Sequence, residues 1–149
     1  IRAEAFVFGH VADEGYMDAC AGELLRHRKA IGAENIAIFA DIKKKHSAHA
    51  VTADVDIVQT AHAAEYFLSD GLIVTGAATG EAASLTELQA VQAAVKIPVF
   101  VGSGITAANV RTYLPHADGF IVGSDFKRGG HWANPLDPGR IHRLLDALG

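Results

Sequence analysis

Two stretches of the chain end a hydrophobic run in glycine and a hydroxyl residue: "VGSGIT" at 101–106 and "GFIVGS" at 119–124. Glycine admits positive φ and lets a ligand approach the backbone closely. Free N–H groups where a strand turns into a helix attract anions, and the helix dipole adds to that attraction. Gly102, Ser103 and Gly104 in the first stretch, with Gly123 and Ser124 in the second, make a candidate phosphate site. The competing reading is two turns with no ligand.

A second concentration of chemistry is "FADIKKKHSAH" at 39–49. Strand side chains alternate, so Ala37, Phe39, Asp41, Lys43 and Lys45 share one face, and Ile36, Ile38, Ala40 and Ile42 the other. The first face turns polar where the strand should reach its carboxyl end. A carboxylate two residues from an ammonium can hold that lysine charged and orient it. Such a lysine can act as general acid, as enolate stabiliser or, with a depressed pKa, as nucleophile. Asp41, Lys43, Lys45 and His46 are therefore the catalytic candidates, and Lys44 is read as solvated. Glu4 joins them because a carboxylate inside a strand must be paired when buried. Arg2 on its face, or Lys43 on the next strand, would serve as partner.

His46 and His49 bracket a metal position with Asp41, but their spacing matches no strong ligand motif, and neither a metal nor another cofactor is expected. His10 and Asp13 are read as joining the same rim. "TGAATGEAAS" at 75–84 reads as a ligand-facing loop or lid of Thr75, Gly76, Thr79 and Gly80, of which Thr75, Gly76 and Gly80 are, with Arg2, the substrate-binding candidates, and "KRGGHWANPLD" at 127–137 reads as a flap or a surface excursion.

The elements that must position these groups alternate. Strands are expected at 5–8, 36–43, 71–76, 97–104 and 119–124. Helical spacing fills the gaps: "GYMDACAGELLRHRKAIG", "VDIVQTAHAAEYFLS", "SLTELQAVQAAV", "TAANVRTYLPH" and "PGRIHRLLDALG". Ser84 with Glu87 reads as a capping box, Thr106 as a cap, and Pro138 as a first-turn residue. Alternation of this kind implies an α/β fold with a parallel sheet and right-handed crossovers. Function in such folds sits at the carboxyl ends of the strands, where the polar loops fall.

The chain has 149 residues, half of them hydrophobic, which suits one packed domain spanning 1–149. Thirteen basic residues against 17 acidic ones leave no basic stripe for nucleic acid. No apolar run approaches the roughly 20 residues of a transmembrane segment. Cys20 stands alone, so a disulfide framework is excluded, and it reads as a buried structural thiol. A reducing, cytoplasmic compartment is expected, with an organellar one compatible.

Five βα units fit two architectures. One is part of a (β/α)₈ barrel, a fold of about 250 residues that often holds a phosphate at the loops after its last two strands. The other is an open, flavodoxin-like sheet. The chain resembles the BtpA/SgcQ family almost end to end, through "IRAEAFVFG", "ELLRHRKAIGAENIAIFADI", "KHSA", "LIVTGAATGE", "IPVFVGSGIT", "ADGFIVGSDFK" and "NPLDPGRI". The resemblance implies a barrel of the ribulose-phosphate-binding kind, with this chain as strands four to eight and three βα units upstream of Ile1. The matching positions are Arg2 and Glu4, Asp41, Lys45 and His46, Thr75, Gly76 and Gly80, and the two glycine turns. Two positions depart from the family pattern, which often has Asn for Glu4 and His for Lys43.

Two functions follow as expectations. The first is an enzyme of isomerase, epimerase, aldolase or lyase type acting on a small phosphorylated ligand. The second, implied by the family name, is a non-catalytic assembly or stability factor for photosystem I that uses the barrel as a platform. A partial barrel would expose an unpaired strand edge, so self-association or a missing amino-terminal half is expected.

Overall fold

The computed structural model describes residues 1–149. In chain order the strands and helices begin with β1 (Arg2–Ala3), β2 (His10–Ala12), β3 (Gly15–Met17), α1 (Ala21–Ala30), β4 (Phe39–Ile42) and β5 (Ser47–Ala48). They continue with α2 (Ile57–Tyr66), β6 (Gly71–Val74), α3 (Leu85–Ala94), β7 (Val99–Val101), α4 (Val110–Tyr113), β8 (Gly119–Phe120) and α5 (Pro138–Leu148). Five strands form a parallel sheet in the order β1-β4-β6-β7-β8. That order follows the chain without a reversal. The flavodoxin-like alternative needs a switch point in its strand order, and none is found here.

One face of the sheet packs under the helices. Ala40, Ile42, Leu72, Val74, Val99 and Val101 are buried there with Ala61, Ala64, Leu88, Val91, Val110 and Leu144 in one cluster. The register places Arg2, Phe39, Gly71 and Asp41 on the other face, with Ile73, Phe100 and Gly119 continuing across. The Phe39 and Phe100 rings meet at 4.7 Å between centroids. They lie over two glycines: a Cβ on Gly71 would come within 2.3 Å of Phe39, and one on Gly119 within 2.9 Å of Phe100.

The caps follow local chemistry. Asp56 and Gln59 form a complete reciprocal capping box at α2. Ser84 accepts from the Glu87 N–H at α3, without the return bond. Asp137 caps α5 and Pro138 opens it.

Several expected boundaries move. The first helix starts at Ala21, because Gly15, at φ 98°, turns residues 10–17 into a β-hairpin that β5 joins in a second, antiparallel sheet. Cys20 stands at the N-cap position of that helix without a side-chain cap bond; it is half-buried rather than fully buried, and burial pushes its thiol up, away from nucleophilic use. The chain leaves β1 after Ala3, and Phe8 takes φ 60°, so the strand expected at 5–8 is a bend and Glu4 lies outside β1. Asn109, not Thr106, organises the start of α4: its Oδ1 accepts the Thr106 N–H and its amide donates to the Gly104 carbonyl. The loop after β8 is closed by a bridge between Lys127 and Leu136.

Candidate functional site

The loops at the carboxyl ends of β4, β6, β7 and β8, with Arg2 of β1 and Arg140 of α5, enclose a cleft of about 290 Å³ with few hydrophobic side chains on its walls. The two glycine turns meet there: Gly102, Ser103 and Gly104 line it together with Gly123 and Ser124. Arg2, Lys45 and Gly80 line it as well. Asp41, Lys43, His46, Glu4, Thr75 and Gly76 do not, although Thr79, beside Gly80, does.

Each absence has a structural cause. The Asp41 side chain is 0% exposed, and both its oxygens accept from Arg2, at 2.7 Å from Nε and 2.8 Å from Nη2. Burial raises the Asp41 pKa against the opposing pull of Arg2, while the bond to Asp41 raises that of Arg2. Asp41 thus stands behind Arg2 and anchors it by one edge. Arg2 lines the cleft with Nη1 unbonded.

The expected pairing of Asp41 with Lys43 is replaced. Lys43 takes φ 52° and His46 φ 55°, so strand alternation ends at Ile42. Non-glycine residues in this region cost of order 1–3 kcal/mol each and cluster at functional sites. Lys43 donates instead to the Thr52 carbonyl at 3.0 Å. Lys44, expected in solvent, is 7% exposed and contacts Glu4 at 2.7 Å and Asp13 at 3.4 Å. Burial works to lower the Lys44 pKa, and these carboxylates outweigh it and raise it. Lys44, rather than Arg2 or Lys43, is the partner of Glu4.

Lys45 comes next and enters the cleft. It has no carboxylate within ion-pair distance. Burial and then the charge of Arg2 hold its pKa below the usual lysine range. His46 turns to the neighbouring loop: its Nε2 lies 2.8 Å from Thr79 Oγ1 and accepts the Thr79 N–H at 3.1 Å.

The glycine turns are packed tightly on one side and open on the other. The buried Ser103 hydroxyl accepts the Gly76 N–H at 2.7 Å and donates to the Glu81 carbonyl at 2.9 Å. It locks the loops after β6 and β7 together, so its oxygen is committed to the fold. Gly104 has φ 68°, and a Cβ there would meet Ala82 backbone at 2.4 Å. Gly76 is equally confined, at 2.4 Å from the Glu81 carbonyl. Around Gly123, by contrast, no heavy atom lies within 4 Å of the Cβ position. The backbone N–H groups of Ser103, Gly104 and Gly123 donate to no group of the chain.

Sequence reasoning missed Arg140. Its Nε donates to the Asp125 carbonyl and its Nη2 to the Asp125 carboxylate, while Nη1 is unbonded and the residue lines the cleft. The signal was present. A cation in the first turn of a helix opposes the macrodipole and calls for a partner. Two edge-anchored arginines, one unpaired lysine and a set of unpartnered N–H groups thus converge. They can bind and orient an anion, or polarise a carbonyl.

His10 and His49 sit in a separate pocket of about 10 Å³ beside Glu4 and Lys44, their rings 5.1 Å apart. His10 is 4% exposed and its Nε2 has no partner. Burial lowers its pKa. Thr75 Oγ1 is likewise buried without a partner. No three His, Cys, Asp or Glu side chains converge at metal-binding distance, and His49 turns to the Lys44 carbonyl. No helix is long and apolar enough to cross a membrane.

The BtpA family model matches residues 1–149. An uncharacterised mitochondrial protein of Caenorhabditis elegans is 59% identical over 97% of the chain, which covers 52% of that protein. An uncharacterised protein of Pyrococcus furiosus is 40% identical over 97% of the chain and 54% of its own length. The photosystem I biogenesis protein BtpA of Synechocystis is 34% identical over 99% of the chain and 51% of its own length. The chain spans about half the length of the curated relatives it matches.

Proposed function

The chain belongs to the BtpA family, and we propose that its cleft binds the phosphate group of a small phosphorylated metabolite. One observation carries the reading: the two glycine turns, Arg2, Lys45 and Arg140 line a single cleft. Two guanidinium groups with a free Nη1 and unpartnered turn N–H groups are donors a phosphate takes. Because α4 has only four residues, the turn N–H groups and the arginines do this work rather than a helix dipole.

The same proposal covers architecture. Five parallel strands in chain order, and coverage of about half of each relative, support five units of a (β/α)₈ barrel, with β1 and β8 as strands four and eight. In such barrels the last two strands carry the phosphate loops. The edges of β1 and β8 would then pair with the remaining units or with another copy. Size-exclusion chromatography tests this, since a monodisperse monomer of these residues alone would contradict it. The mitochondrial name of the worm relative supports an organellar compartment.

Binding is measured by thermal shift and calorimetry with inorganic phosphate, ribose 5-phosphate and ribose. A ligand at 100 times its Kd stabilises by about 2.7 kcal/mol, which raises Tm by several degrees. Gly123→Val and Arg140→Gln should weaken phosphate binding with the free-protein Tm little changed by the former. Equal responses to ribose and ribose 5-phosphate, or none to millimolar phosphate, would overturn the reading. The name of the Synechocystis relative supports a second reading, a non-catalytic platform for assembly. Phosphate binding without turnover of any phosphorylated aldose, ketose or hydroxyacid would favour it.

A further inference from the structure

We propose that Lys45 forms an imine with the carbonyl carbon of a phosphorylated aldehyde or ketone seated in the cleft. This rests on the phosphate reading and adds the chemical class of the ligand's other end.

Three cations line the cleft, and two are neutralised by their own carboxylates, Arg2 by Asp41 and Arg140 by Asp125. Lys45 alone has no such partner. Around the half-buried Lys45 the more distant charges of Asp41 and Glu4 favour the ammonium, but burial and the Arg2 charge outweigh them. Burial and the Arg2 charge therefore favour the neutral amine, the form that attacks carbonyl carbon. Its backbone is fixed by flanking constraints: Lys44 is tied to Glu4, and His46 is tied to Thr79.

The span also fits. β4, which Lys45 follows, lies two strands from β7, which carries Gly102–Gly104. Adjacent strands are about 4.8 Å apart, so the gap is roughly 10 Å. A lysine side chain reaching from one side and the phosphate ester of a short carbon chain from the other would fill it. Arg2, which lines the same cleft and keeps Nη1 unbonded, is the donor available to the carbonyl oxygen.

The step balances without a further reactant. The Nζ lone pair forms the C–N bond as the carbonyl π electrons move to oxygen. A proton passes from nitrogen to that oxygen, giving the carbinolamine. Loss of the hydroxyl together with the second amine proton then yields the imine and one water.

Dihydroxyacetone phosphate is the probe, with sodium borohydride to reduce the imine to a stable secondary amine and peptide mass mapping to locate it. The adduct should concentrate on Lys45 by about tenfold or more over Lys29 and Lys96, as expected for a held carbonyl. Lys45→Arg, which keeps the charge, should lose it, and inorganic phosphate should suppress it. Dihydroxyacetone without phosphate should label lysines indiscriminately. Even labelling by the phosphorylated probe, or none on Lys45, overturns the imine. If phosphate and the probe still raise Tm in that case, the phosphate reading survives. If neither does, both fall.

Discussion

Replacing Arg2 with methionine separates the roles of the two partners beneath the cleft. The change leaves the Asp41 carboxylate in a site where its side chain is 0% exposed, whereas that of Arg2 is 34% exposed. Removing one member of a buried ion pair costs about 3–5 kcal/mol. Exposure of Arg2 screens the pair, so the lower end, about 3 kcal/mol, applies. For a domain of this size that lowers Tm by about 6–12 °C. Asp41 can relieve the cost by taking up a proton. Burial already raises its pKa and Arg2 is the chief opponent of the rise, so in the variant the rise is larger, with only the weaker pull of Lys45 against it. A carboxyl with a folded-state pKa above its unfolded value takes up its proton first in the folded protein. The deficit is therefore full above that folded-state pKa and shrinks as pH falls through it. Asp41→Asn leaves Arg2 able to turn to water and should cost less, about 1–2 kcal/mol. Urea unfolding of the three proteins at pH 7.5 and pH 4 measures both effects. A constant Arg2→Met deficit across this range, or a larger one for Asp41→Asn, would refute the reasoning.

Further outcomes can be read from the same melts. Gly104→Ala should destabilise by about 2–4 kcal/mol, from its positive φ and its collision with Ala82, while Gly123→Ala should leave Tm within a degree or two. Ser103→Ala strips the Gly76 N–H of its acceptor and should cost about 1–3 kcal/mol, with faster amide exchange at Gly76. His10 has a lowered pKa, so the unfolded chain takes up its proton first as pH drops below about 6.5, and stability falls. His10→Gln should flatten the decline between pH 6.5 and the folded-state pKa; an unchanged slope would count against this.

The alternation of strands and helices was legible because β6 and β7 are short apolar runs between helical spacings, whereas their order in the sheet was left open between two architectures. The glycine turns were legible for a related reason: they follow such runs directly. Residues 43–46 were not. Period-two reasoning held to Ile42 and failed at Lys43, where positive φ rotates the register and exchanges the environments of Lys44 and its neighbours. Nothing in three consecutive lysines announces that the middle one is buried. The hairpin at 10–17 was hidden because "GYMDACAGELL" carries helical spacing from its first residue, and a positive φ at Gly15 outweighs it. Arg140 was missed for a different reason: its partner Asp125 lies 15 residues away, across a loop whose closure is a tertiary event.

The cleft draws on Arg2 at one border of the sheet and on Arg140 in the helix after the other. During synthesis the amino-terminal portion emerges and folds first. The β1, β4 and β6 units can therefore associate while the recognition surface is still missing its far wall. Only when residue 140 docks against Asp125 do the arginines face a common space. Docking of Arg140 against Asp125 is therefore the step that completes the wall of the cleft.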